Sequence, residues 1–129
     1  MAPDHPDRKD MTYVTGAIRE ANDGRGRFDL LPVRGLMRVA LRCELGAVKY
    51  GDRNWEYGMP QSRFLNSALR HLCQYLAGQT DEDHLAAAGW NILAALDQEE
   101  RAKEGRLDGA LMDVPFFVSK RGSKYVENL

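Results

Sequence analysis

At 129 residues, with 29% charged residues and a formal net charge of -1, the chain has the size of a single domain and carries both signs of charge in balance. That balance argues against a dedicated nucleic-acid binder, which would carry a basic excess. The only cysteines, Cys43 and Cys73, fall within apolar helical patterns, so they read as buried thiols of a reducing compartment rather than as a disulfide framework.

Residues 1 to 27 read as a flexible N-terminal arm. The stretch Met1 to Asp10 is charged and proline-containing and has no apolar run for export. One short helical turn is expected around Gly16 to Ala21. Pro32 then opens a helix as a first-turn proline. From Val33 to Tyr50 apolar residues recur at helical spacing, through Leu36, Val39, Ala40, Cys43 and Ala47. Gly51 stops the helix.

A loop follows and ends at Pro60, with Ser62 as the expected N-cap of a second helix running to about Ala77. Its predicted buried stripe is Leu65, Ala68, Leu69, Leu72 and Leu76. Thr80-Asp81-Glu82-Asp83 resembles a capping box and starts a third helix, expected to reach about Lys103 with Leu85, Ala88, Ile92, Leu93 and Leu96 inside. Its polar end, Asp97 to Glu104, is expected to be solvated. Residues 28 to 105 are thus the helical domain, and 106 to 129 an irregular tail packing on it or on a neighbouring subunit. No strand pairs are evident, so the fold class is all-α, a small helical bundle. Broad apolar stripes, and Phe116 and Phe117 without a local partner, favour burial against a second copy. A homodimer or higher homo-oligomer is expected. The longest apolar stretch, Leu85 to Leu96, is too short to cross a bilayer and is broken by Asn91. No membrane association is therefore expected, and the compartment is the cytoplasm.

The chemistry concentrates at the end of the first helix, in the run from Glu44 to Trp55. Glu44 has Met37, Ala40, Leu41, Ala47 and Val48 as its helical-wheel neighbours. A carboxylate in that arc is paired, protonated or bound to a metal, because stranding its charge costs on the order of several kcal/mol. A salt bridge to an arginine of the second helix is the alternative. Lys49 and Arg53 suit phosphate oxygens. Asn54 can pair with a base edge, and Trp55 or Tyr50 can stack on a base or plug the end of the bundle. Arg70 and His71 sit at a boundary position on the second helix. His84 and Asn91 share a face of the third helix, with alanines between them that either admit a ligand or let helices approach. Asp83 is a helix cap or an oxygen ligand for a hard cation, and Glu82 and Asp81 compete for that job.

Taken together, Phe28-Asp29-Leu30-Leu31-Pro32, then Gly46-Ala47-Val48-Lys49-Tyr50-Gly51-Asp52-Arg53-Asn54-Trp55, Leu69-Arg70-His71-Leu72, Asp81-Glu82-Asp83-His84-Leu85 and Trp90-Asn91 resemble the dATP/dGTP diphosphohydrolase domain. That family is one of the MazG-like all-α nucleoside triphosphate pyrophosphohydrolases and is frequent in phages. The resemblance covers roughly residues 28 to 100. It implies hydrolysis of a purine deoxynucleoside triphosphate, dGTP or dATP, to the monophosphate and pyrophosphate with Mg²⁺ or Mn²⁺. It also implies oligomeric subunits, and the host cytoplasm if the chain is phage-encoded.

One departure stands out. Such enzymes carry two glutamates three apart on one helix and a second acidic pair on the next. Here Leu41 and Ala47 flank Glu44 at that spacing, and Ala87 follows His84. The expected ligand set is therefore Glu44, Asp83 and His84, with Asn91 beside them, and these are also the expected catalytic groups. Lys49, Arg53 and Arg70 are expected to neutralise the phosphates, Trp55 and Asn54 to hold the base, and Tyr50 or His71 to touch the sugar. The rival expectation is a non-enzymatic helical regulator that binds a nucleotide or nucleic acid.

Overall fold

The computed structural model describes residues 9–115, and the expectations for Met1 to Arg8, Phe116, Phe117 and the tail beyond lie outside them. The chain divides between Val33 and Arg34 into two compact units.

The first unit corrects two expectations. Where a helical turn and no strand pairing were expected, β1 (Asp10–Thr12) and β2 (Ile18–Glu20) form an antiparallel hairpin in which Met11 pairs with Arg19. The turn is closed by Tyr13 N–H to the Ala17 carbonyl at 2.8 Å and Gly16 N–H to the Tyr13 carbonyl at 2.8 Å. Gly16 adopts φ +92°, which only glycine reaches without strain, and this residue converts the segment from helix to hairpin. A 3₁₀ turn at Phe28–Leu30 follows, with the Arg27 guanidinium forked onto the Asp29 carboxylate at 2.8 and 2.9 Å.

The second unit is helical, as the spacing predicts. The helices are α1 (Val33–Tyr50), α2 (Gln61–Leu76) and α3 (His84–Lys103). Gly51 at φ +88° ends α1. The capping of α2 differs from expectation. Ser62 lies inside the first turn, and its backbone N–H and hydroxyl both donate to the Asp113 carboxylate, at 2.8 and 2.6 Å. An acid remote in sequence therefore supplies the orphan-donor partner that a local N-cap would have given. At α3 the cap is Asp83, whose side chain accepts from Ala86 N–H at 3.1 Å.

Of the expected stripes, Ala68 and Ala88 are buried and Leu65 packs against the core, but most of the leucines are not buried. In α3 the packed face is Ala87, Ala88, Asn91, Ala94, Ala95 and Gln98, whereas Leu96 is 54% exposed. In α2 the buried residues are Gln61, Phe64, Ala68 and His71, whereas Leu69 is 63% exposed. Small and polar residues line the faces on which α2 and α3 pack, and most of the leucines are left on the outer faces. Phe64 is the large apolar anchor, packed with Ala94, Ala95, Trp55 and Trp90. Burying such a ring is worth about 2–3 kcal/mol.

Gln98, expected to be solvated, is fully buried. It exchanges hydrogen bonds with the backbone of Met59, accepting at 3.1 Å and donating at 2.8 Å, and it donates to Gln61 at 2.9 Å. No residue of α1 is buried in the single chain, and Cys43 and Cys73 are exposed rather than buried. Among the described residues, no helix is long and apolar enough to cross a membrane.

Candidate active site

Three buried polar residues mark the inner face of α3 at one per heptad: His84, Asn91 and Gln98. The lowest, Gln98, is consumed by structure. The highest, His84, opens onto a cluster of ionisable groups. His84 is the first residue of α3, and the bend from α2 carries its ring against His71, thirteen residues earlier. The two Nδ1 atoms lie 3.0 Å apart. His84 Nε2 meets the Asp81 carboxylate at 2.7 Å. Glu82 Oε1 lies 3.7 Å from His71 Nδ1 and 2.9 Å from the Arg42 guanidinium. One turn earlier on α1, Arg38 holds both oxygens of Asp83, at 2.6 and 2.9 Å. Arg38 and Arg42 thus face successive acids at the mouth of α3, and Val39 between them sits over the small Gly89.

The protonation pattern follows from these contacts. The hydrogen bond from His84 holds Asp81 below the usual carboxylate range, so Asp81 is ionised and accepts from His84 Nε2–H. In the tautomer that gives Nε2–H to Asp81, His84 Nδ1 takes the acceptor role, and His71 Nδ1–H is the donor between the rings. Burial, reinforced by the charge of Arg70, pushes His71 below the ordinary imidazole value. Arg38 likewise holds Asp83 below the usual range.

His71, Glu82 and His84 each offer one ligand atom, and these atoms all lie within 4.8 Å of one another. Their chemistry decides which ion suits them. Two imidazole nitrogens and one carboxylate oxygen are a poor set for Mg²⁺, which demands oxygen ligands in octahedral array, and a good one for borderline transition ions.

Of the expected ligands, the structure brings only His84 into this group. Glu44 is exposed on α1 and outside it. Asp83 lies next to the group, with both oxygens engaged by Arg38. Asn91 is buried one heptad below, donating to the Ala87 carbonyl at 2.8 Å. His71, expected as a boundary residue, is buried within the group, and Arg70 flanks it on the exposed side.

The aromatic and basic run lies elsewhere. Trp55 packs on the Phe64–Ala94–Ala95 cluster, and the Arg101 guanidinium covers its ring at 5.3 Å. Arg101 stands nearly five turns of α3 from His84, about 25 Å along the axis. Arg53 is held in the left-handed region at φ 55°. With Asp52, Glu56, Tyr57 and Arg101 it lines an open depression of about 400 Å³. Lys49, Tyr50 and Asn54 are exposed. Arg38 and Arg42 were not among the expected site residues, and Glu82 was named only as a competitor of Asp83 for the ion. Their signal was the spacing of two arginines four apart on α1, which puts both on one face, with a run of three acids to meet them.

Residues 15–107, well over half of the chain, match the family model described as dATP/dGTP diphosphohydrolase, N-terminal. The chain belongs to this family. Comparison with curated proteins and with solved structures yields no match. The matched span includes β2, all three helices and every residue of the histidine–carboxylate cluster.

Proposed function

We propose that the chain hydrolyses a deoxypurine nucleoside triphosphate, dGTP or dATP, between the α and β phosphates, releasing the monophosphate and pyrophosphate. The observation that carries this reading is the cluster of His71, Glu82 and His84 beside Arg42 and Arg38, within a chain of the diphosphohydrolase family. A triphosphate arrives as its Mg²⁺ complex and needs cations for the charge that develops on its oxygens as the α–β bridge breaks. Arg42, Arg38 and Arg70 are placed around the cluster to take up that charge. Glu82 and Asp83, now paired with the α1 arginines, keep these guanidiniums in place before substrate enters. The attacking water adds to the α-phosphorus and pyrophosphate leaves with the bridging oxygen. An ion held by His71, Glu82 and His84 would supply Lewis-acid charge and a more acidic water there.

Base recognition and oligomeric state belong to the same proposal. Arg101, which lines the depression with Arg53, lies about 25 Å along α3 from His84, beyond the reach of a nucleotide held at the cluster of the same chain. Association of two copies supplies other groups to each site, and the exposed faces of α1 and α2 favour such association, with Val48 83% and Leu76 76% exposed.

The test is a panel of deoxynucleoside triphosphates with Mg²⁺, followed by ³¹P NMR. Pyrophosphate and the monophosphate are expected from dGTP or dATP. Orthophosphate as the product would overturn the assigned bond. No turnover, together with steeply salt-dependent DNA binding, would make the chain a nucleic-acid-binding regulator instead.

A further inference from the structure

We propose that His71 Nδ1, His84 Nδ1 and Glu82 Oε1 form a protein-held site for one first-row transition ion of the Mn²⁺-to-Zn²⁺ series, and that Mg²⁺ is not its occupant. This deepens the hydrolase reading by naming the class of ion at the same cluster.

Spacing is the first support. Two donors about 2.1 Å from one ion, at an angle of about 90–110°, stand roughly 3.0–3.4 Å apart. The two Nδ1 atoms are 3.0 Å apart, and Glu82 Oε1 is 3.7 Å from His71 Nδ1, within reach of a small swing of the glutamate side chain. Orientation is the second. His84 gives its other nitrogen to Asp81 at 2.7 Å, the carboxylate–histidine arrangement that fixes a ligating imidazole and raises its basicity. Arg42 steadies Glu82 in the same way. Burial is the third. The histidines are 6% and 2% exposed, so an ion there loses bulk water on the protein side while Glu82 leaves one side open. The Glu82 and Asp81 carboxylates balance a divalent charge. Arg42 and Arg70 oppose it, and Arg38 is neutralised by Asp83. Donor type then selects the ion. Imidazole nitrogen favours borderline ions such as Co²⁺ and Zn²⁺, whereas Mg²⁺ keeps its waters and stays with the triphosphate.

The site has a spectroscopic signature that a structural histidine pair lacks. Without an ion, His71 carries its proton on Nδ1, between the rings. An ion on both Nδ1 atoms moves the His71 proton to Nε2, while His84 keeps its proton on Nε2 facing Asp81.

The intact chain is dialysed against Zn²⁺, Co²⁺ or Mg²⁺, bound metal is measured, and ¹⁵N-histidine spectra give the tautomers. One Zn²⁺ or Co²⁺ per chain is expected to be retained, with the His71 tautomer exchanged, and no change is expected with Mg²⁺. Asp81→Asn, a positioning change, should weaken retention about tenfold to a hundredfold. Replacing the exposed Cys43 and Cys73 by serine should leave it intact. The tautomer measurement needs no variant, so misfolding cannot mask the result. Failure to retain Zn²⁺ or Co²⁺, an unchanged His71 tautomer with metal bound, loss of retention in the cysteine variant, or an equal response to Mg²⁺ each overturn the assignment. A chain that holds the ion but leaves dGTP and dATP intact defeats the hydrolase reading alone. A chain that hydrolyses them with Mg²⁺ but holds no transition ion defeats this one alone.

Discussion

Arg38 closes on Asp83 with both arms of its guanidinium, Nε to Oδ2 at 2.9 Å and NH2 to Oδ1 at 2.6 Å. The same carboxylate caps α3 by accepting from Ala86 N–H. Asp83 therefore has two structural duties and no free oxygen for an ion. Asp83→Ala should destabilise the chain by about 1 kcal/mol through the lost cap, while Asp83→Asn keeps the cap and most of the turnover. Urea unfolding and dGTP hydrolysis measure the two effects separately. A large loss of turnover in Asp83→Asn, with stability unchanged, would restore Asp83 as a ligand.

Glu82 and Glu44 offer a direct contrast. Glu82 faces His71 and Arg42, whereas Glu44 is solvent-exposed on α1. Glu82→Gln should lower kcat about a hundredfold or more, the scale of removing a charged group that organises a phosphoryl-transfer site. Glu44→Gln should stay within a few fold of the unaltered chain. Steady-state kinetics on both variants decide between them, and the reverse order would return the site to α1.

Asp113 ties the segment after α3 to the first turn of α2. Hydrogen bonds from Ser62 hold its carboxyl below the usual range. A carboxylate whose folded value is depressed stabilises the fold above its ordinary value and loses that contribution as pH falls through the folded one. Protection of Ser62 N–H, its exchange rate set against the intrinsic rate at each pH, should therefore stay high at neutral pH and fall only below the ordinary aspartate range. Asp113→Asn should remove the pH dependence of that protection and leave it low throughout. An Asp113 that titrates at the ordinary aspartate value by NMR would refute the contact.

Association should be sensitive to single charges on the outer faces. Leu41 is 60% exposed and Leu69 63%. Leu41→Lys and Leu69→Lys should shift the chain toward monomer in sedimentation velocity with little effect on helix content, because neither side chain is packed in the single chain. An unaltered chain that sediments as a monomer at all concentrations sinks the proposed association.

Much of the helical unit was legible from local signals. Gly51 and the period of α1 located that helix, and the acid run before His84 located the start of α3. These signals are written in neighbouring residues and in backbone freedom at single positions. The α2 cap was not legible, because Asp113 lies fifty-one residues from Ser62. The hairpin was missed because three-residue strands leave almost no periodic trace, and only Gly16 hinted at a turn. Hydrophobic period alone misjudged the inner faces of α2 and α3, since it ranks leucine above alanine and cannot weigh how closely two helices approach.

By itself, the order of residues determined the three helices, the end of α1, the start of α3, the family and the presence of His71 and His84 in telling positions. Tertiary structure alone decided that these two rings face each other, that Glu82 rather than Glu44 joins them, and that the Arg53–Trp55 run stands at the other end of α3. Helix formation answers to neighbours three and four residues away. The cluster is set by how α2 turns back on α3 and by where α1 lays its two arginines, and those relations join residues with no fixed spacing along the chain.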